Sequence, residues 1–198
     1  MSETRNRIVH EAARLFARQG YNATSIGDIQ TAAGLATGSG ALYKHFSSKQ
    51  DVLHAVVRTH IDTIADTMAT VVHQPEHALD ELIAAARAVW DGLTNSRELV
   101  RVMYRDLDDT PEALDELWNA VDNKVFATFT DIITRGIATQ QFRQVPVEHT
   151  ALVLMSAISY LPTTRALIDR TPSHFTTDTD YLTAWTTIAT GALSPTTA

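Results

Sequence analysis

The chain has 198 residues, of which 44% are hydrophobic and 20% charged, values typical of a folded globular protein with one or two domains. It contains no cysteine, which excludes disulfide bonds and thiolate zinc sites. The net charge is −7, yet residues 1–60 carry seven basic and four acidic side chains, so a nucleic-acid-binding module at the amino terminus is not excluded.

Two amphipathic helices are predicted at the amino terminus. The apolar residues from Ile8 to Phe16 recur at the helical period, and Gly20 supplies a stop signal. Ser25 stands three residues before Asp28, which is the spacing of a capping box with Asp in place of the usual Glu. A second helix of about two turns is therefore expected to begin at Ser25.

A third short helix and then a long one follow. Residues Ala41 to Phe46 are predicted to be helical, and either Ser47 or Ser48 caps a long helix over residues 48–73. Apolar side chains recur every three or four residues in that long helix. Because three short helices bury little core by themselves, the long helix is expected to back them.

The rest of the chain also shows helical periodicity. Further helices are predicted over residues 76–94, 97–107, about 111–140, 147–168 and 178–192. The stretch 151–161 is apolar on nearly all sides, which predicts burial on several sides. It is much shorter than the roughly 20 apolar residues of a membrane-spanning helix, and the amino terminus lacks the apolar core of a signal peptide. We therefore expect a cytoplasmic protein without a membrane partner.

Two short helices joined by a glycine-containing turn are typical of a helix-turn-helix, whose second helix enters the major groove of DNA. Small residues at the start of that helix allow the backbone to approach DNA, and hydroxyl groups among them can bind phosphates or bases. The chain supplies small residues in the run Thr37-Gly38-Ser39-Gly40-Ala41, and hydrogen-bond donors in Tyr43, Lys44, His45 and Lys49. Alternatively, Tyr43 and His45 border the core, and Lys49 is an ordinary surface lysine at a helix start.

Many residues between 5 and 57 have the type and spacing of a known DNA-binding family. They are Arg7-Ile8, Ala13, Leu15-Phe16, Gly20-Tyr21, Thr24-Ser25-Ile26, Asp28-Ile29, Ala33-Gly34-Leu35, Leu42-Tyr43, His45-Phe46, Ser48-Lys49 and Leu53. In these residues the chain resembles the TetR family of bacterial transcriptional regulators. It departs from the commonest family pattern in one respect, because the stretch from Gly34 to Tyr43 is two residues longer.

The resemblance implies a ligand-responsive regulator, most often a repressor, that binds a palindromic operator in double-stranded DNA as a homodimer and is released by a small molecule. In the family, the donors after the reading helix contact phosphates, as does Thr24 or Ser25 at the start of the second helix. The predicted DNA-binding residues are Thr24, Ser25, Thr37, Gly38, Ser39, Gly40, Ala41, Tyr43, Lys44, His45 and Lys49.

The predicted fold class is all-α, with a three-helix DNA-binding domain over residues 1–47 and a larger effector-binding and dimerisation domain over residues 48–198. The apolar helices 147–168 and 178–192 are expected to form a four-helix dimer interface, with a monomeric core helix as the alternative. Aromatic, Met and polar side chains on the middle helices are candidates for a pocket that takes an apolar or aromatic effector, with plain core packing as the alternative. They are Trp90, Met103, Tyr104, Trp118, Asn119, Asn123, Phe126, Phe129, Met155, Ser159 and Tyr160.

Other classes of protein are less well supported. No phosphate-binding loop or local catalytic constellation is evident, and Pro75 interrupts the helix that would align His73 with His77 for a metal. We therefore predict no cofactor, no metal site and no enzymatic activity. A helical enzyme or carrier, and a protein-interaction adaptor, remain the rival interpretations, and neither of them needs the residues between 24 and 49.

Overall fold

The computed structural model describes residues 3–38, 40–71, 77–106, 115, 118–168, 170 and 177–195, and every regular element within them is helical. A 3-10 turn, Leu42–Lys44, precedes the third α-helix, and a π-helical segment, Val121–Phe126, precedes the sixth. The α-helices are α1 Glu3–Gln19, α2 Ile26–Ala32, α3 Lys49–Val71, α4 Ala78–Asn95, α5 Arg97–Asp106, α6 Ala127–Ala138, α7 Val147–Ile168 and α8 Asp178–Leu193. The predicted all-α fold class is confirmed.

The local signals at the amino terminus act as the sequence predicts. Gly20 ends α1 with a left-handed φ of +87°. The Ser25 hydroxyl accepts from the Asp28 N–H at 3.1 Å, and the Asp28 carboxylate accepts from the Ser25 N–H at 2.8 Å, which completes the capping box of α2. The Ser48 hydroxyl accepts from the Asp51 N–H at 3.0 Å, so Ser48 rather than Ser47 caps α3.

Two predicted helices differ from the structure. The third short helix, expected over Ala41 to Phe46, is only the 3-10 turn Leu42–Lys44, in which the His45 N–H donates to the Leu42 carbonyl three residues earlier. The long helix expected over about 111–140 contains the π-helical segment before α6. Its predicted start at residues 110–112, and the break at Pro75, lie outside the described residues.

The chain divides into two compact units, one of residues 1–60 and 96–118, the other of residues 61–95 and 119–198. The first unit is larger than the predicted DNA-binding domain of residues 1–47, because α5 packs against α1 and the first half of α3 belongs to this unit. Its core consists of fully buried side chains from α1, α2, the 3-10 turn and α3, among them Ile8, Phe16, Ile29, Leu42, Phe46 and Leu53.

In the second unit, α4 packs against α6 and α7, and α7 packs against α8. Leu82, Phe129, Ile132, Ile133 and Ile158 are fully buried at these contacts. Burying an apolar side chain of this size contributes about 1.5–3 kcal/mol relative to leaving it in water. The packing of α4, α6 and α7 therefore supplies a large part of the hydrophobic stabilisation of this unit.

An ion pair between a buried glutamate and a partly exposed arginine joins α4 to α6 in the second unit. Glu81 is 2% exposed, and an Nη atom of Arg135 donates to its Oε2 at 2.5 Å. The other carboxylate oxygen of Glu81 is buried and has no hydrogen-bond partner among the described residues. Glu81 therefore depends on Arg135 for compensation of its charge.

We expect Arg135→Met to lower the free energy of unfolding by about 2 kcal/mol, because it leaves an unpaired carboxylate in the core while the arginine itself is partly exposed. Urea denaturation at a fixed protein concentration measures this loss. The double variant Glu81→Met/Arg135→Met removes both charges and should recover most of the stability. A double variant less stable than Arg135→Met would show that the loss of stability comes from losing the ion pair and not from the unpaired Glu81 carboxylate.

Candidate DNA-binding surface and effector region

The segment between α2 and the 3-10 turn is rich in glycines with left-handed backbone. Gly34, Gly38 and Gly40 have φ values of +66°, +78° and +66°, which L-residues rarely adopt. Thr37 and Gly38 are exposed and Gly40 and Ala41 are half-buried, whereas Ser39 lies outside the described residues. An exposed backbone with little side-chain cover can approach a partner closely.

The 3-10 turn is anchored by apolar side chains and presents polar ones. Leu42 and Phe46 are buried, at 0% and 1% exposure, whereas Tyr43 is 58% exposed and Lys44 is also exposed. The guanidinium of Arg5 lies 4.6 Å from the centroid of the Phe46 ring. His45, between the exposed and buried positions, is half-buried. The turn therefore holds the side chains of Tyr43 and Lys44 in solvent.

The amino-terminal end of α2 offers one exposed hydroxyl. Ser25 is exposed, and its hydroxyl and backbone N–H both donate to the Asp28 carboxylate, which holds the pKa of Asp28 below its usual range. Thr24 differs from the prediction. It is 1% exposed and its hydroxyl donates to the Gly20 carbonyl at 2.8 Å, so this side chain closes the preceding turn instead of facing a partner.

Two basic side chains donate to backbone carbonyls of other elements in the first unit. The Arg7 Nε donates to the Ala33 carbonyl at 2.7 Å, which ties α1 to the end of α2. The Lys49 ammonium donates to the carbonyls of Tyr21 and Thr24, at 3.0 Å each. The sequence predicts Lys49 as a phosphate contact but contains no signal for these backbone partners, because they lie 25 to 28 residues away along the chain.

The predicted effector residues are divided between the two units. Met103, Tyr104 and Trp118 belong to the first unit, where Tyr104 and Trp118 are each 49% exposed. In the second unit Trp90 and Phe129 are core residues, and the Trp90 ring stacks on Tyr181 at a centroid distance of 5.4 Å. For these two residues the structure supports core packing. Asn119, Asn123 and Tyr160 are exposed, and Phe126, Met155 and Ser159 are half-buried.

A cleft of about 200 Å³ lies in the second unit, near the start of α4 and the ends of α6 and α8. None of the predicted effector residues lines it. The side chain of Gln141 in this cleft already makes a hydrogen bond within the chain, because its Oε1 accepts from the Ala78 N–H at 2.7 Å. The lining residues are His77, Leu79, Asp80, Gln141, Phe142 and Ser194.

Helices α7 and α8 leave apolar side chains in solvent. Val153, Tyr160 and Ile168 on α7 are 64%, 58% and 57% exposed, and Ile188 on α8 is 65% exposed. Val153 and Tyr160 are seven residues apart, so they share one face of the helix. By length and apolar composition alone, α7 is a candidate membrane span, but it packs on α4, α6 and α8. Its exposed apolar face is a candidate interface.

Two protein-family models match the chain, one in its amino-terminal part and one in the helices that follow. A family model described as bacterial regulatory proteins of the tetR family matches residues 8–56. A second model, of tetracyclin repressor-like C-terminal domains, matches residues 75–163, and the two together cover well over half of the chain.

The chain belongs to the TetR family.

Relatives of known role are similar over most of their length. The transcriptional repressor KstR2 of Mycolicibacterium smegmatis is 29% identical over 144 residues, covering 70% of this chain and 67% of that protein. The transcriptional activator FasR of the same organism is 26% identical over 168 residues, covering 83% and 75%. The chain is therefore a helix-turn-helix transcriptional regulator and not an enzyme, as predicted.

Solved structures support the fold over most of the chain. A TetR-family regulator from Mesorhizobium loti superposes with a TM-score of 0.83 at 17% identity, covering 98% of this chain and all of that one. A regulator from Saccharomonospora viridis, crystallised with choline, has a TM-score of 0.82 at 22% identity and the same coverage. At such identities the likeness concerns the fold alone.

Proposed function

We propose that this TetR-family regulator is a homodimeric repressor that reads a palindromic operator with the segment Thr37–Ala41. Tyr43, Lys44, His45 and Ser25 contact phosphates on either side of that segment. The observation that carries the proposal is the glycine-rich backbone directly followed by Tyr43 and Lys44, which the buried Leu42 and Phe46 hold in solvent. Thr24, which is buried, has no part in this contact.

The decisive experiment measures binding to the promoter region beside the gene itself at several salt concentrations. We expect Lys44→Gln to weaken operator binding by roughly tenfold or more, and to reduce the salt slope by about one for each reading head. Tyr43→Ala should weaken binding with a smaller change of slope, since it removes a neutral donor. These losses should be similar for all DNA sequences, because phosphate contacts carry no base information.

The matched control is Arg87→Gln, which removes one positive charge from an exposed position of α4 in the second unit. Its affinity and slope should equal those of the wild type. A weak, sequence-independent affinity that is the same in all four proteins would contradict the proposal. Raised transcription on operator binding would instead make the protein an activator, as FasR is named.

The proposed dimer forms through α7 and α8. Helix-turn-helix proteins read palindromic sites as two-fold dimers, and a two-fold interface uses the same patch of both protomers. The exposed apolar residues on α7 and α8 are large side chains that a second copy of the same chain would remove from water. Val153→Glu on α7 tests this interface.

The proposed effector is an apolar or aromatic small molecule, which binds among the half-buried residues Phe126, Met155 and Ser159. The Ser159 hydroxyl already donates to the Met155 carbonyl at 2.9 Å. A bound effector therefore needs no polar group to satisfy this donor. Thermal unfolding with decanoate and with choline tests the class, and decanoate alone should raise the melting temperature. Stabilisation by choline alone would contradict an apolar effector.

The proposed coupling uses α3, whose residues belong to both compact units. An effector that binds one form of the dimer better shifts the population toward a different spacing of the two reading heads. Spin labels on the two heads should report a changed distance under the ligand concentration that releases operator DNA. We further propose a cytoplasmic location, where such an operator is accessible.

A further inference from the structure

Lys49 occupies an unfavourable position for a cation, which makes its contacts informative. It is the first residue of α3, where the helix dipole disfavours positive charge. The side chain is half-buried, and two of the three donors of its ammonium are taken by backbone carbonyls. The ammonium also lies 4.2 Å from the centroid of the Tyr21 ring.

These partners belong to the turn between α1 and α2. The two carbonyls are those of Tyr21 and Thr24, and the residue after Thr24 is Ser25, the N-cap of α2. The Tyr21 ring in turn packs edge-on against the buried Phe16 of α1, at 5.3 Å between centroids. A single side chain from α3 therefore fixes the turn that sets the position of the start of α2.

The same lysine follows closely after the proposed phosphate contacts of the 3-10 turn. Tyr43 and Lys44 stand six and five residues before it, in a turn held by the buried Leu42. The contacts of Lys49 thus connect the part of the surface around Ser25 with the part around Tyr43. Holding two anchoring points at a set separation lowers the ordering cost of binding a rigid duplex.

We propose that Lys49 is a positioning residue that acts through the α1–α2 turn, and that it is not itself a phosphate ligand. This inference rests on the proposed operator binding. A positioning role differs measurably from a phosphate contact. A lysine that releases counterions from DNA contributes to the salt dependence of binding, whereas a lysine that only holds the α1–α2 turn does not.

The test compares Lys49→Met with Lys44→Met in operator titrations from low to moderate salt. We expect Lys49→Met to weaken binding by roughly tenfold, because both hydrogen bonds to the α1–α2 turn are lost, while its salt slope stays that of the wild type. Lys44→Met should lower the slope. If Lys49→Met lowers the salt slope as much as Lys44→Met does, the positioning role is wrong and Lys49 contacts phosphate.

The two proposals fail in different ways. The proposed DNA contacts themselves would be contradicted if the wild type showed no operator preference and Lys44→Met left the salt slope unchanged. That result would not bear on the role of Lys49 alone. Tyr21→Leu covers the case in which Lys49→Met does not fold, because it removes the ring under the ammonium and leaves the carbonyls. It should weaken operator binding at an unchanged slope, and an unchanged affinity would overturn the inference.

Discussion

Replacing Val153 by Glu is expected to turn the regulator into a monomer in solution. Val153 is 64% exposed on α7, and in a two-fold interface the substitution appears twice. An unpaired carboxylate that becomes buried costs several kcal/mol, so the dimer affinity should fall by at least about a thousandfold. Ile188→Glu on α8, where the native side chain is 65% exposed, should have the same effect.

Light scattering after size exclusion measures the change directly, and operator binding measures its consequence. A monomer retains one reading head, so specific binding should be lost at concentrations that saturate the wild type. Thr134→Glu is the matched control, because it adds the same charge at an exposed position of α6. If Val153→Glu and Ile188→Glu both form dimers as stable as those of the wild type, the dimer interface does not include this face of α7 and α8.

Substituting Ala for Gly136 should produce the largest loss of folding stability among single changes in the second unit that we consider. A Cβ atom at this position would lie 2.2 Å from Cδ2 and 2.5 Å from Cε2 of the Phe142 ring. The ring has little freedom to move, because Phe142 is 5% exposed and the N–H groups of Gln141 and Phe142 both donate to the Gly136 carbonyl at 2.9 Å. Overpacking of this kind costs about 3 kcal/mol.

Urea unfolding at a fixed protein concentration measures this loss, since dimerisation makes apparent stability concentration-dependent. Gly191→Ala is the control, because among the described residues no atom outside the neighbouring backbone of α8 lies within 4 Å of the new Cβ. That variant should be as stable as the wild type, or more stable by up to about 0.8 kcal/mol. In Gly136→Ala/Phe142→Leu the smaller side chain should restore part of the loss, and purely additive effects would contradict the clash.

Local rules were enough wherever a structural feature depends on neighbouring residues. The capping box of Ser25 and Asp28 and the stop at Gly20 could be predicted because their donors and acceptors lie within four residues. The short third helix could not be predicted correctly. Its periodicity is helical, but only the 3-10 turn Leu42–Lys44 forms there, and the periodicity of apolar residues does not distinguish a 3-10 turn from a short α-helix.

The candidate site shows the same division. Exposure of Tyr43 beside buried Leu42 and Phe46 follows from the pattern of polar and apolar residues. Burial of Thr24 does not, because a threonine before a helix is equally typical of an exposed cap. For Trp90 and Phe129 the sequence left pocket and core as alternatives, and only their packing in the second unit favours the core.

The helical class, the helix-turn-helix and the resemblance to TetR regulators follow from the order of residues alone, because helical periodicity, caps and motif spacing involve residues close together in the chain. Tertiary structure alone decided what Lys49 and Gly136 do. Their partners, the carbonyls of Tyr21 and Thr24 for one and the Phe142 ring for the other, meet them only when separate elements pack or the chain turns back. Such contacts depend on distances in space, which the order of residues does not state.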